Sequence, residues 1–280
     1  MASALVAALL LQASVAPDTE VRTVSASIVD AKGFPVDGLT PDQVVVLENG
    51  VAREVTSIEK DTRPLSVIVL VDNTEEISSA YRLFVVDAVG DFLRHLPQDT
   101  SFAVWTMGDR PTKLKDFSED AVAAEAALRR AMTGSSNTLL DALVEGTRDL
   151  RKLEGRRSAV VVVTGTTTNA GNRDKFRTVD EAKKNADLFL AVEFLEGSGL
   201  GGAEEAYGYV LDALTKETGG IVERPLSAGG VPPALKNLSQ FLRSLYRIGF
   251  ATLAEVKDQK LEIQVARQGV KVRMPSLKKQ

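Results

Sequence analysis

Three runs of almost uninterrupted apolar residues set the strongest limit on how this chain can fold. They are Leu65–Val71, Ala159–Thr164 and Leu188–Phe194. A strand that is apolar on both of its faces must be covered on both, which is the situation of strands in a parallel sheet. Segments with the periodicity of amphipathic helices separate the runs. The alternation predicts a doubly wound α/β domain with a mostly parallel sheet, whose ligands collect outside the carboxyl ends of the strands.

The remaining segments of this domain follow from the same periodicities. Besides the three apolar runs, we predict shorter strands over residues 101–107, 113–117 and 221–223. Helices are predicted over residues 77–95, 120–132, 139–153, 179–186, 204–217 and 232–246. The only histidine, His95, falls at the end of the first helix, where such a side chain usually interacts with the last helix carbonyls.

Both ends of the chain carry alternating strands with one apolar face. The dipeptide Asn49-Gly50 is a strong hairpin signal and would join residues 44–48 to residues 51–58. A second hairpin is predicted from residues 261–265 and 270–274, with residues 247–253 as a further strand. Because each end exposes an apolar face, we expect the two ends to pair in a discontinuous β-sandwich or sheet. The alternative is two separate small sheets packed on the α/β domain.

The first 16 residues differ from the rest of the chain. Thirteen of them are apolar and no charge occurs before Asp18. A transmembrane helix needs about 20 apolar residues, so the run fits the core of a secretory signal better, with Ser14 and Ala16 placed as at a cleavage site. The alternative is a buried N-terminal helix. A signal predicts a secreted or periplasmic protein with no membrane span in its mature chain.

The predicted organisation has four parts. Residues 1–16 are the signal, and residues 17–63 form an N-terminal β segment. Residues 64–247 form the α/β domain, and residues 248–280 form a C-terminal β segment that pairs with the N-terminal one.

Composition excludes several classes of function. The chain has 34 basic and 38 acidic residues, and this net charge of −4 argues against a nucleic-acid partner, since phosphates attract basic faces. The absence of cysteine excludes disulfides, thiol catalysis and thiolate metal sites. One histidine cannot form a multi-histidine metal site. The glycine-rich segment at residues 197–202 lacks the Lys-Ser/Thr of a phosphate-binding loop, and we interpret it as a flexible loop.

Three short motifs resemble the metal-site loops of a von Willebrand factor A domain. Residues 69–74 resemble the first loop, residues 137–143 the second, and residues 155–165 the approach to the third. Segments at both ends resemble the von Willebrand A-related proteins that are abundant in acidobacteria: residues 29–33, 47–50 and 242–250. The resemblance covers nearly everything after residue 16. It implies the A-type fold and an adhesion-type function.

The resemblance also implies a metal-ion-dependent adhesion site, but the ligand pattern departs from that of the family. The family holds a divalent cation with D-x-S-x-S, a threonine and an aspartate. Here Asp72, Thr74 and Glu76 occupy the first loop, Thr138 occupies the second, and Gly165 stands where the aspartate belongs. In one interpretation, Glu76 replaces the lost charge, and it binds Mg²⁺ or Ca²⁺ together with Asp72, Thr74 and Thr138. In the other, the site has decayed and binds no metal. We expect weak or no Mg²⁺ binding, with Ca²⁺ favoured because it tolerates irregular geometry.

The function implied is a non-enzymatic, exported module that binds a protein partner. Its binding surface would be the loops at residues 73–78, 134–138, 165–172 and 197–202, which are rich in small and polar residues. One alternative is a structural domain of the cell envelope with no metal role. Another is a metal-assisted hydrolase that uses Asp72 and Glu76, which the lack of histidines disfavours.

Overall fold

A computed structural model describes residues 19–153, 155–165, 171–195, 202–253 and 260–274. The strands are β1 (Thr19–Val29), β2 (Val44–Glu48), β3 (Val51–Arg53), β4 (Val55–Lys60), β5 (Leu65–Val71), β6 (Thr100–Thr106), β7 (Thr112–Ser118), β8 (Arg157–Gly165), β9 (Leu188–Phe194), β10 (Val222–Glu223), β11 (Leu245–Leu253), β12 (Leu261–Val265) and β13 (Lys271–Arg273). The α-helices are α1 (Ser78–Ala80), α2 (Val86–Arg94), α3 (Ala121–Arg129), α4 (Leu139–Leu150), α5 (Lys175–Ala182), α6 (Gly202–Thr218) and α7 (Val231–Arg243). The proposed signal at residues 1–16 lies outside the described residues.

A six-stranded sheet forms the centre of the α/β domain, as predicted. Its order is β10-β9-β8-β5-β6-β7, and only β7 runs antiparallel to its neighbour. Every residue of β5 is buried because helices cover both faces of the sheet. On one face Val67 and Val69 pack with α2, α3 and α7. On the other face Ile68 and Leu70 pack with α4, α5 and α6.

The direction of the chain reverses at the centre of this sheet. After β5 the chain crosses one face through α1 and α2 to reach β6, whereas after β8 it crosses the opposite face through α5 to reach β9. Since β5 and β8 are neighbours, the loops that follow them leave in opposite directions. Such a switch point opens a crevice at the carboxyl ends of the strands, where α/β proteins bind their ligands. Asp72 follows β5 directly at this crevice.

The two ends of the chain pair with each other. One sheet has the order β13-β1-β11-β4 and a second has the order β12-β2-β3. Strand β1 pairs with β11 from Thr19 opposite Leu253 to Ser27 opposite Leu245. Both sheets contribute to one apolar cluster, in which Val46 and Ile263 of the second sheet join Phe250 of the first. The two chain-end segments therefore form one β-sandwich, and the α/β domain is inserted between these segments in the sequence.

In both predicted hairpins, the structure pairs some of the strands with partners other than the predicted ones. Strand β3 does pair with β2, but β4 pairs with β11 in the other sheet. The C-terminal hairpin was wrong, because β12 pairs with β2 while β13 pairs with β1. Alternation specifies which face of a strand is buried, but not which strand lies beside it. Here the strands on either side of a short turn separate into opposite layers of the sandwich.

Several helix boundaries also differ from the predictions. The helix predicted over residues 77–95 contains a π-helical turn, Tyr81–Val85, between α1 and α2, and α3 and α4 each end three residues earlier than predicted. Helix α7 ends at Arg243, and Tyr246 already belongs to β11, where its side chain is 3% exposed in the sandwich core. Strand β11 therefore runs through residue 247, where the sequence placed a domain boundary. Helix α5 begins at Lys175, four residues earlier than expected, because the Asp174 side chain caps it by accepting the backbone N–H of Arg177. No helix among the described residues is long and apolar enough to cross a membrane.

Candidate functional site

Asp72 lies at the centre of a hydrogen-bond network at the switch point of the sheet. It is fully buried. Its Oδ1 atom accepts the backbone N–H and the hydroxyl of Thr74, both at 2.9 Å. Its Oδ2 atom accepts the Asn137 amide at 2.7 Å, the Thr164 hydroxyl at 3.0 Å and the Gly165 N–H at 3.3 Å. One carboxylate thus ties the loop after β5 to the start of α4 and the end of β8.

Asn137 extends this network toward two helices. Its Nδ2 atom also donates to the Thr164 hydroxyl at 3.1 Å. Its Oδ1 atom accepts the backbone N–H of Leu139 at 2.8 Å, which satisfies a donor in the first turn of α4. The Tyr207 hydroxyl of α6 donates to the Asn137 carbonyl at 2.9 Å. Burial raises the pKa of Tyr207 above its ordinary value, so this hydroxyl stays a donor.

A second set of contacts fixes the loop that carries Asn73. The Asn73 side chain donates to the Met132 carbonyl at 2.6 Å and accepts the Gly108 N–H at 2.7 Å. Gly108 and Gly134 are in close contact, and a Cβ atom on Gly134 would lie 2.6 Å from the carbonyl carbon of Gly108. Only glycine fits at such a distance. The Asn73 hydrogen bonds therefore hold the loops after β5, β6 and α3 together, and the two glycines allow the close approach.

Solved structures of similar shape identify the fold. The von Willebrand A domain of SpRpn10 matches with a TM-score of 0.50 and 16% identity, over 64% of this chain and 97% of that one. A von Willebrand factor type A protein from Catenulispora acidiphila matches with a TM-score of 0.54 and 9% identity, over 91% and 71%. The α/β domain has the von Willebrand factor A fold. A third A-fold match is proximal thread matrix protein 1 from the mussel byssus, solved with zinc in its metal site, with a TM-score of 0.53 and 17% identity over 70% of this chain and 50% of that one.

No protein-family model matches the chain, and no curated protein matches it.

The A fold raises the question of whether the residues at its metal position suit a cation. The Thr74 hydroxyl donates its proton to Asp72, and the Thr138 hydroxyl donates its proton to the Met107 carbonyl at 2.8 Å. Both oxygen atoms therefore keep lone pairs, which a hard cation requires. Gly165, in contrast, presents an N–H donor to Asp72 where the family has a carboxylate. The described residues include no group of three or more acidic or histidine side chains that could hold a metal.

The structure thus brings some of the expected ligands together. Asp72 and Thr74 are in direct contact, and Thr138 follows Asn137 at the same edge. Glu76 is half-buried at the start of a short 3-10 helix, Glu75–Ile77. These residues could supply oxygen ligands to a cation, but Asp72 is the one buried carboxylate among them. A divalent ion prefers a site with more negative charge.

Asn137 and Thr164 are site residues that the sequence patterns did not single out. Both are fully buried polar residues, and together they supply two of the donors to Asp72. The available signal was their position. Thr164 is the first polar residue after the apolar run Ala159–Val163, and Asn137 directly precedes Thr138, the N-cap of α4.

The exposed side of this edge also contains a carboxylate. The Ser135 hydroxyl and backbone N–H donate to Asp109 at 2.6 and 2.8 Å. These hydrogen bonds hold the pKa of Asp109 below its ordinary value, so this side chain is a fixed negative charge near the loops.

His95 lies away from the candidate site. Its Nδ1 atom is 2.7 Å from the Asp91 carbonyl at the end of α2. This contact is the one expected of a histidine that ends a helix.

Proposed function

We propose that this chain is a non-enzymatic protein-interaction module that binds a partner through the loops at the carboxyl edge of the sheet. The A fold supports the choice of this edge, since its switch point lies there. The network around Asp72 supports a preformed surface, because five hydrogen bonds hold three loops in place. A surface that is fixed before binding loses less conformational entropy on association.

The exposed side chain of Met132 is the observation that most favours a protein as the partner. Met132 is 87% exposed, and its own carbonyl is held by Asn73. Leu195, directly after β9 at the same edge, is 54% exposed. Flexible methionine side chains adapt to the surfaces of protein partners, and methionine is enriched in protein interfaces relative to the rest of the surface.

We further propose that any cation bound by Asp72, Thr74, Glu76 and Thr138 is bound weakly, and that Ca²⁺ is preferred over Mg²⁺. The hydroxyl oxygens are available, but five protein donors already engage the Asp72 carboxylate. Mg²⁺ demands near-octahedral geometry, whereas Ca²⁺ accepts irregular oxygen sites. Zinc occupies the metal site of the mussel byssus structure. In the present chain the contribution of a metal to binding would be minor.

Export is part of this proposal and depends on residues 1–16. Removal of this segment as a signal would leave Pro17 at the start of the mature chain. N-terminal sequencing of the protein recovered from its native host tests this step. An intact Met1 in the cytosolic fraction would refute it.

A capture experiment with matched surface variants tests the interaction. The change Met132→Asp places a charge on the proposed surface, and Val122→Asp does the same at the far end of α3, where Val122 is 71% exposed. We expect envelope proteins of the native host to bind the natural chain and the Val122 variant, but not the Met132 variant. Equal capture by both variants would mean that the partner binds elsewhere on the chain, and no capture by any chain would favour the alternative of a purely structural domain. Hydrolytic turnover that depends on Mg²⁺ or Ca²⁺ would favour the other alternative, a metal-assisted hydrolase.

A further inference from the structure

A cleft lies at the opposite end of the α/β domain from Asp72. It has a volume of about 290 Å³ and separates the amino-terminal edge of the large sheet from strand β1 of the sandwich. Its walls include Leu65 and Leu188, which begin β5 and β9, and Leu245, which begins β11. The chain-end sandwich and the A-fold domain thus share this cleft, which the proposed interaction surface does not include.

Strand β1 gives the cleft a polar wall. Val24 and Ala26 point into the sandwich core. Because successive side chains of a strand point to opposite faces, the hydroxyls of Thr23 and Ser25 are on the other face, and both residues line the cleft. Thr23 is exposed and Ser25 is half-buried. These hydroxyls can donate hydrogen bonds to a ligand in the cleft.

Guanidinium groups dominate the opposite wall. Arg63 donates two hydrogen bonds to Asp61, at 2.9 and 2.7 Å, and Arg157 Nε lies 3.5 Å from the same carboxylate. On the sandwich side, Arg273 reaches the cleft from β13, the neighbour of β1. The other acid on the wall, Asp187, accepts the N–H and the hydroxyl of Ser158, both at 2.9 Å. Three guanidinium groups from the two walls therefore line the cleft, together with two carboxylates that are already engaged.

Arg157 is the least satisfied member of this set. Its side chain is 7% exposed, and its Nη1 atom is buried without a hydrogen-bond partner in the part of the chain that the structure describes. Its Nε atom donates to the Arg63 carbonyl at 3.2 Å. Burial lowers the pKa of Arg157, and Asp61 offsets this effect only in part. A buried cation of this kind is stabilised by a further negative charge nearby.

We propose that this cleft binds a small oxyanion, a carboxylate or a phosphate, through Arg63 and Arg273, with the buried charge of Arg157 behind the wall. Guanidinium groups suit these ligands because their planar N–H groups match two oxygen atoms at once. The hydroxyls of Thr23 and Ser25 would bind further oxygen atoms from the β1 side. The bound anion balances the excess positive charge of the cleft, and it bridges the sandwich and the A-fold domain.

Calorimetric titration of the full chain tests the proposal, with inorganic phosphate and succinate as separate probes at constant ionic strength. We expect saturable 1:1 binding of at least one probe, and the two titrations distinguish a phosphate from a carboxylate ligand. Arg273→Gln should weaken binding at least about tenfold, or about 1.4 kcal/mol. Arg267→Gln removes an exposed charge from the same sandwich away from the cleft, and should leave binding unchanged.

A spectroscopic readout covers the case in which substitution of the buried Arg157 prevents folding. In the natural chain the Nε–Hε resonance of Arg157 should shift along the titration and saturate with the calorimetric signal. Failure of both probes to bind would overturn the proposal. So would binding that leaves the Arg157 resonance unmoved, or an equal loss of affinity in the Arg273 and Arg267 variants.

Discussion

Replacing Asn137 with alanine should loosen the carboxyl edge of the sheet. The change removes the amide that donates to Asp72 at 2.7 Å and to Thr164 at 3.1 Å. It also removes the oxygen that accepts the Leu139 N–H at 2.8 Å. All of these groups are buried, so water cannot easily replace the lost partners.

The expected loss in the free energy of unfolding follows from the individual contacts of Asn137. A hydrogen bond to a charged group contributes about 1.5–3 kcal/mol, and a side chain that caps a helix contributes about 1 kcal/mol. Asn137→Ala should therefore lower the free energy of unfolding by about 3 kcal/mol. For a domain of this size that corresponds to a fall in Tm of roughly 6–12 °C.

Urea denaturation of the natural and variant chains measures this loss. Asn185→Ala is a matched control, since the Asn185 amide makes one hydrogen bond, to the Glu181 carbonyl at 3.2 Å, at a half-buried position. We expect the control to cost less than about 1 kcal/mol. If the Asn137 variant loses no more stability than the Asn185 variant, the Asp72 network does not hold the loops as described.

Further predictions concern pH, metal binding and the sandwich. Burial alone would raise the pKa of Asp61, but the hydrogen bonds and charge of Arg63, with Arg157, lower this pKa overall. The ionised Asp61 therefore stabilises the fold above the ordinary pKa of an aspartate, and this stabilisation is lost as pH falls through the lowered pKa. Asp61→Asn should flatten the acid limb of the curve of unfolding free energy against pH. Gly165→Asp combined with Glu76→Ser should raise Mg²⁺ affinity in calorimetry, and no gain would mean that the loops differ from those of a metal-binding A domain. Ile263→Ala, at a 6% exposed core position, should cost about 2–5 kcal/mol and speed amide exchange in β2, its partner strand; unchanged exchange in β2 would argue against a shared sandwich core.

The central sheet was predictable because its strands are apolar on both faces. Leu65–Val71 cannot present a polar face to water in any register, so only a covered, parallel sheet suits it. The sandwich was predictable only in part. The alternation in β12 and β13 shows that each has an apolar face, but the choice of β2 and β1 as partners depends on residues more than 200 positions away.

The candidate site shows the same division between local and distant information. Asp72 and Thr74 could be recognised because they lie two residues apart in one loop. Asn137 and Thr164 reach Asp72 from 65 and 92 residues away, and neither carries a charge that would single it out. Their roles arise from the switch in chain direction, which places the ends of β5 and β8 side by side. Residues 166–170 and 197–201 of the proposed binding loops lie outside the described residues.

Photo-crosslinking at residue 132 in the native host tests the proposed function most directly. A photoreactive amino acid would replace Met132 in one chain and Val122 in another, with and without a chelator of divalent cations. We expect a discrete adduct with an envelope protein at position 132, none at position 122, and no effect of the chelator. An absence of adducts at position 132, or equal adducts at both positions, would contradict binding at the carboxyl edge. Loss of the adduct with the chelator would contradict the minor role of the metal.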